Sequence, residues 1–335
     1  MHASPQPAPL QGIARLAAAS ECLQEKKQVT YFELEAKSIL NRSANSQMPF
    51  FWTINPYRGC EFACKYCYAR YTHEYMGLED SLDFERKIYS KRNAAQVLTE
   101  ELTPSKLRGR PVALGTATDP YQPAERKFFT TRMILEVLAK RPGVSLSITT
   151  KSDLVVRDIG LLQQIQKIGH LHVNLSVTTV KPRLARLLEP GAATPRRRLF
   201  AVKKLAEQGI PVGVFIMPVI PALTDDAAGL EEVARQAKDA GAGYLSARPL
   251  FLMPSAQKVF LPFIDEKFPK LSAHYRKLFE HSAYAPEAYS KRIHDLIQKL
   301  RFKYQLNSRP PDGPVWDPPI QPQQIALPFA SVLPK

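Results

Sequence analysis

The chain has 335 residues, with 46 Lys+Arg against 31 Asp+Glu and a formal charge of +15. Its 44% hydrophobic and 23% charged content excludes a mostly disordered chain, and four cysteines are too few for a disulfide-stapled secreted scaffold. The positive surplus favours a polyanionic partner (nucleic acid, an anionic membrane or a phosphorylated substrate) without fixing a fold.

The opening segment, MHASPQPAPLQGIARLAAAS, has no basic stretch ahead of an apolar run. No apolar stretch approaches the ~20 residues of a membrane helix, so the expected location is cytoplasmic, without membrane insertion. Residues 1–48 read as a polar, loosely patterned arm in which Tyr31–Leu34 and Ile39–Leu40 can pack.

From Phe50 the pattern changes to short β-rich runs alternating with helical stretches. Strands are predicted at Phe51–Ile54, Val112–Ala117, Ser145–Thr150, His172–Thr178, Val212–Met217 and Tyr244–Ala247. Several are near-continuous apolar or β-branched runs, as strands buried on both faces require. Helices are predicted at Ala94–Leu102, Thr130–Lys140, Leu154–Ile168, Pro195–Gln208 and Asp226–Ala240. Gly209 and Gly241 stop the last two, and Thr224-Asp225 stand where an N-cap belongs. The implied class is α/β: a partial (β/α)6 TIM-like barrel over 49–250 with an N-terminal arm. Beyond it, 251–306 form a basic helical extension with helices at Asp265–His281 and Pro286–Leu306, and 307–335 a proline-rich tail.

Three cysteines, Cys60, Cys64 and Cys67, form a C-x3-C-x2-C run just after the first predicted strand. Clustered thiols in an intracellular chain point to metal ligation, and thiolates suit zinc or an iron–sulfur cluster. Closed structural zinc needs four ligands, and His73 is the nearest residue that completes a Cys3His set. Cys22 stands apart as a free thiol, with an accessory redox role as the alternative.

The C-x3-C-x-aromatic-C spacing, with Tyr66 as the aromatic, resembles the radical S-adenosylmethionine (radical SAM) enzymes. The resemblance implies that Cys60, Cys64 and Cys67 hold a [4Fe–4S] cluster whose open iron chelates S-adenosylmethionine. It also implies reductive cleavage to a 5′-deoxyadenosyl radical that abstracts a substrate hydrogen, and an electron donor such as flavodoxin or ferredoxin. Asn55-Pro56-Tyr57-Arg58-Gly59-Cys60, Cys64-Lys65-Tyr66-Cys67-Tyr68-Ala69-Arg70 and Thr116–Glu125 resemble the spore photoproduct lyase-like branch, often called "DNA repair photolyase".

This resemblance runs from about Phe50 to Arg248 and implies a site at the C-terminal ends of the strands, as barrels in general have. It assigns Thr118 and Asp119 to the methionine amino end of the cofactor and Lys151 to its carboxylate. Asn174 and Ser176 fall to the ribose, and Arg198, from the run Arg196–Arg198, to the carboxylate again. The plainer readings are strand-end hydroxyls that cap helices and a solvated or phosphate-binding arginine run. Spore photoproduct lyases carry a further cysteine downstream that returns a hydrogen atom; this chain has none after Cys67, and Tyr121 is the substitute considered.

Basic residues cluster at Lys106–Arg110, Lys140-Arg141, Pro195–Lys204 and Lys291–Lys303, the last interleaved with Phe302 and followed by Tyr304. Phosphate attraction plus aromatic faces is what nucleic-acid binding uses; the alternative is a basic amphipathic helix packing its aromatics inward. In the tail, Gln324-Ile325-Ala326-Leu327-Pro328-Phe329 resembles the hexapeptide that binds the bacterial sliding clamp. The reading is therefore a radical SAM enzyme acting on nucleic acid. A peptide or small-molecule substrate is the first alternative, and a non-catalytic zinc-stabilised nucleic-acid-binding protein the second.

Overall fold

The computed structural model describes residues 10–25, 29–43, 48–107 and 109–310. Six strands pair in sequence order, each parallel to the next: β1 (Trp52–Ile54), β2 (Val112–Leu114), β3 (Ser145–Thr150), β4 (His170–Ser176), β5 (Val212–Val219) and β6 (Tyr244–Pro249). Asn41–Arg42 adds an antiparallel edge outside β1, and β6 forms the other edge, so the barrel is open. Ile148, Val173, Leu175, Val214 and Ile216 are fully buried at alternate positions of the central strands, whose other face carries polar residues such as Asn174 and Ser176.

The crossovers carry α1 (Ala94–Glu101), α2 (Thr130–Leu138), α3 (Ile159–Ile168), α4 (Pro195–Glu207) and α5 (Ala227–Asp239). Thr194 caps α4 ahead of Pro195. Asp226, rather than Thr224-Asp225, caps α5 by accepting the Gly229 amide (2.7 Å). Thr224 instead accepts the Ile220 amide, and Asp225 pairs with Arg292.

β2 ends three residues earlier than its β-branched sequence suggests, because Gly115 turns the chain at φ +93°. A Cβ there would lie 2.6 Å from Pro120 Cδ and 2.8 Å from the Thr149 carbonyl, so only glycine fits where the chain folds back over β3. Thr116–Glu125 thereby becomes a loop and short helix across the C-terminal ends of the strands.

The arm is more structured than its composition suggests. Gly12–Ala18 is helical, and Glu21–Glu25 pairs antiparallel with Thr30–Glu33. The latter runs parallel to Lys87–Ser90, which in turn pairs antiparallel with Tyr57–Arg58, giving a four-stranded sheet. Anchors without periodicity hold it: Tyr31 is fully buried, Leu34 is 1% exposed, and Phe32 stacks on Tyr89 at 4.9 Å.

At the other end, α6 (Pro254–Lys267) begins well before the predicted Asp265, and the chain breaks before a second short helix, Ser272–Leu278. The last helix, α7 (Glu287–Tyr304), buries Ile293, Ile297 and Leu300 in the same core as the barrel strands. Asn307 then lies beside the start of β6, donating to the Gly243 carbonyl and accepting the Leu245 amide. Both boundaries drawn around the barrel, near residues 48 and 250, are thus crossed by strand pairing or core packing.

Candidate active site

The chain leaves β1 through Asn55, whose side-chain oxygen accepts the Ala117 amide (2.7 Å), and enters the short strand Tyr57–Arg58. Gly59 then turns the backbone at φ +78°, where a Cβ would meet the Lys87 and Phe84 carbonyls at 2.7 and 2.8 Å. The Gly59 carbonyl accepts from Thr118 Oγ1 (2.6 Å) and Gln122 Nε2 (3.0 Å), while the Gln122 oxygen accepts the Glu61 amide (2.9 Å). The Cys60 amide donates to the Phe84 carbonyl and the Lys65 amide to the Leu188 carbonyl. Arg70, 1% exposed, closes the loop by donating to the Cys64 carbonyl (3.0 Å) and pairing with Glu85.

The backbone of each cysteine in the run is therefore held by a hydrogen bond, the Cys67 amide donating to the Cys64 carbonyl. Cys60 and Cys64 are buried and Cys67 half-buried, and they pack with Phe62, Tyr66, Leu188, Leu250 and Leu252. Burial pushes the Cys64 thiol up to about 12, with Lys151 pulling it down. Burial also raises the Cys60 thiol, reinforced by Asp119, Cys64 and Cys67. The donor set is three soft sulfurs on one loop, which fits a cluster that keeps one metal open.

Among the described residues, no three His, Cys, Asp or Glu side chains converge closely enough to hold one metal ion. The His73 ring points elsewhere, with Nε2 3.0 Å from the Lys87 carbonyl and its face against Phe84 and Tyr89.

Around the loop lies a charged shell. Glu189 Oε1 accepts from Tyr66 and from Thr178 Oγ1 (3.0 Å), and Oε2 pairs with Arg198. Arg198 also donates to the Ser176 carbonyl (2.9 Å) and the Ala193 carbonyl (2.7 Å), tying the start of α4 to the end of β4. Burial works against the Glu189 charge, but Arg198 and Lys151 outweigh it and hold the carboxyl below its usual range. The Lys151 ammonium sits 5.9 Å from the Tyr66 ring centre. Burial disfavours its charge too, yet Cys64 and Glu189 outweigh that and keep it protonated.

The expected residues thus separate. Tyr66, Lys151, Arg198 and Ser176 gather around Cys64 and Glu189. Thr118 is near but is spent on the Gly59 carbonyl. Asp119 faces Cys60, yet its oxygens accept Thr150 Oγ1 (2.6 Å), the Tyr121 amide (2.9 Å) and the Lys151 amide (2.7 Å), so it joins the ends of β2 and β3. Asn174 lies inside the sheet, donating to Ser147, Ile148 and Thr149 and accepting from Tyr244 (2.6 Å).

Tyr121 does not come to the thiols. Its ring is in the main core, 1% exposed, and its hydroxyl lies in the field of Asp158 and Glu125 without a well-formed hydrogen bond. Sequence reasoning missed Glu189, Thr178 and Gln122 as parts of the site, because their bonds to Tyr66 and the Glu61 amide join segments far apart in the chain. It also missed Tyr68, whose hydroxyl bonds the Thr116 carbonyl while its ring stays 42% exposed beside Cys67.

The basic clusters are partly neutralised. In α7, Lys291 pairs with Asp295, Arg292 with Asp225 and Lys303 with Glu231, while Tyr304 donates to Glu231 and Phe302 is 90% exposed. Lys203 and Lys204 share Glu207, and Arg197 pairs with Asp153. Cys22 is exposed on its edge strand. The hexapeptide Gln324–Phe329 lies outside the described residues.

Comparison with known proteins agrees with this geometry. The family model of the radical SAM superfamily matches residues 54–237. An uncharacterized protein of Mycobacterium tuberculosis is 35% identical over 301 residues, covering 89% of this chain and 88% of the relative. One of Methanocaldococcus jannaschii is 31% identical over 223 residues, 65% of this chain and 77% of the relative. Among solved structures, a spore photoproduct lyase mutant with bound AdoMet and dinucleoside spore photoproduct superposes with a TM-score of 0.60 at 16% identity. That match covers 90% of this chain and 85% of the other.

The protein is an enzyme of the radical type, and the chain belongs to the radical SAM superfamily. Its cofactors are those of the superfamily, a [4Fe–4S] cluster and S-adenosylmethionine, on a partial-barrel fold like that of spore photoproduct lyase.

Proposed function

We propose that this enzyme acts on nucleic acid, in a DNA-repair-like reaction begun by hydrogen abstraction. The observation that carries the reading is the setting of the thiol loop. On a chain of charge +15, the segment leaving Cys67 exposes the rings of Tyr68 (42%) and Tyr75 (50%), with Tyr71 packed edge-on to Tyr75. Exposed aromatic rings on a chain of positive net charge suit stacking of an unpaired base. The bound dinucleoside lesion of the structurally similar lyase supports the same substrate class.

In this reading Cys60, Cys64 and Cys67 hold the cluster, which together with S-adenosylmethionine supplies the hydrogen-abstracting radical. Lys151 provides positive charge for a carboxylate, while Arg198, its nitrogens engaged by Glu189 and the Ser176 and Ala193 carbonyls, acts with Glu189 to hold Tyr66 in place. Ser176, at the end of β4, is the residue we assign to a ribose hydroxyl. Thr118, Asp119 and Asn174 act by positioning, since their polar atoms are already engaged.

A flavodoxin- or ferredoxin-like electron donor, a cytoplasmic location and clamp binding through Gln324–Phe329 belong to the same proposal. Among the described residues, no helix is long and apolar enough to cross a membrane. Retention on immobilised sliding clamp by wild type but not Phe329→Ala would bear the clamp out. Anaerobic turnover with S-adenosylmethionine and dithionite tests the substrate: lesion-bearing oligonucleotides, undamaged ones and peptides are compared for product. Product from peptides alone would overturn the nucleic-acid reading.

A further inference from the structure

Strand alternation sorts the small sheet's side chains onto two faces. Its register pairs Tyr57 with Ser90 and Arg58 with Tyr89, and the Lys91 amide continues it by donating to the Pro56 carbonyl (3.2 Å). Tyr57, Ile88 and Ser90 therefore face one way, where Tyr57 donates to Glu125 (2.5 Å) and Ser90 bonds Thr130 (2.9 Å). Arg58, Tyr89 and Lys91 face the other, and there Arg58 and Lys91 are diagonal neighbours of like charge.

Among the described residues no carboxylate pairs with Arg58 or Lys91, and Arg58 Nε has no hydrogen-bond partner. Lys91 is only 5% exposed, whereas the other two buried cations, Arg70 and Arg198, are paired with Glu85 and Glu189. Burial first and Arg58 second push the Lys91 ammonium down to about 7. Glu101 pulls the other way, but its Oε2 already accepts the Ile39 and Leu40 amides at 2.9 Å each. Two uncompensated cations in one partly buried place are costly, and an anion that bridges them removes the cost.

We propose that Arg58 and Lys91 form a phosphate-binding site beside the thiol loop, filled by a phosphodiester of the substrate strand. A guanidinium fork with a neighbouring ammonium is a donor set suited to phosphate oxygens. Arg58 stands two residues before Cys60, and its other flank is Tyr71, in edge-on contact with the exposed Tyr75 (5.7 Å). Backbone charge is thus held next to stacking surfaces, at the margin of the site where the chemistry starts. The source of the phosphate rests on the nucleic-acid reading; the site itself does not.

The test is fluorescence anisotropy of a labelled single-stranded DNA on the anaerobic holoenzyme, with inorganic phosphate as competitor and as a separate calorimetric titrant. Arg58→Gln and Lys91→Met are compared with wild type and with Lys270→Ala, an exposed cation in another part of the fold. Support is at least ~10-fold weaker binding of both probes by the two variants, against a near-unchanged control. Lys91→Met should keep wild-type iron content and a melting temperature no lower than wild type, since it removes a buried amine that has no ion-pair partner among the described residues. Wild-type-like binding by both variants overturns the site and leaves the nucleic-acid reading standing. Phosphate binding lost in the variants, with no DNA bound by any form, upholds the site and overturns the nucleic-acid source. No binding of either probe to wild type overturns both.

Discussion

Glu189 and Arg198 form an ion pair in which each side chain is only 1% exposed, and the pair fastens the thiol loop to the end of β4 through Tyr66 and the Ser176 carbonyl. Deleting one partner strands the other in the core. Glu189→Ala is expected to cost about 3–5 kcal/mol in urea denaturation, and Glu189→Gln less, because its amide oxygen still accepts from Tyr66. An equal loss for both would show that charge, not hydrogen bonding, dominates.

Gly59 tolerates no side chain: its φ is +78° and two carbonyls crowd the Cβ position. Gly59→Ala should lower stability by about 1–3 kcal/mol and leave the reconstituted protein with less iron per chain than wild type. Full iron loading would show that the loop finds another turn.

Cys64→Ala should lose the brown colour of the reconstituted enzyme and form no 5′-deoxyadenosine with S-adenosylmethionine and dithionite. Retained colour with stoichiometric zinc would contradict the cluster assignment.

Tyr121→Phe removes a hydroxyl that is remote from the thiols and poorly bonded. 5′-Deoxyadenosine formation should stay within about twofold of wild type, with a stability change below about 1 kcal/mol. A selective loss of substrate product, with 5′-deoxyadenosine retained, would restore Tyr121 as a hydrogen donor.

His73 and His172 are each held neutral by burial, lowered from 6.5 to about 4. Their unfolded forms take up a proton first as pH falls. Stability is therefore intact above pH 6.5 and lost progressively down to about 4. For His73, 1% exposed, the loss is on the order of 3 kcal/mol. Melting temperatures between pH 7.5 and 4.5 should fall, and His172→Gln should flatten part of that fall. A pH-independent melting temperature in this range would contradict it.

The barrel was readable because short strands such as Ser145–Thr150 and the near-continuous apolar run Val212–Val219 alternate with helices that carry caps and glycine stops, as Pro195–Glu207 does. The arm was not, because Tyr31 and Leu34 hold it through isolated contacts with no period to detect. The start of α6 was hidden by Pro254 and Pro262, which read as breakers though the first occupies a first-turn position. Local spacing named the thiols, and position on a barrel named Lys151 and Arg198. Nothing local revealed that Glu189 joins them, or that Asp119 and Asn174 are consumed by neighbours, since those bonds link segments tens of residues apart.

Asn307 lies beside Tyr244, at the end of β6 opposite the one from which the thiol loop springs. The described chain therefore finishes on the side of the sheet away from the thiols, and its closing contacts leave free the strand ends that carry the catalytic loop.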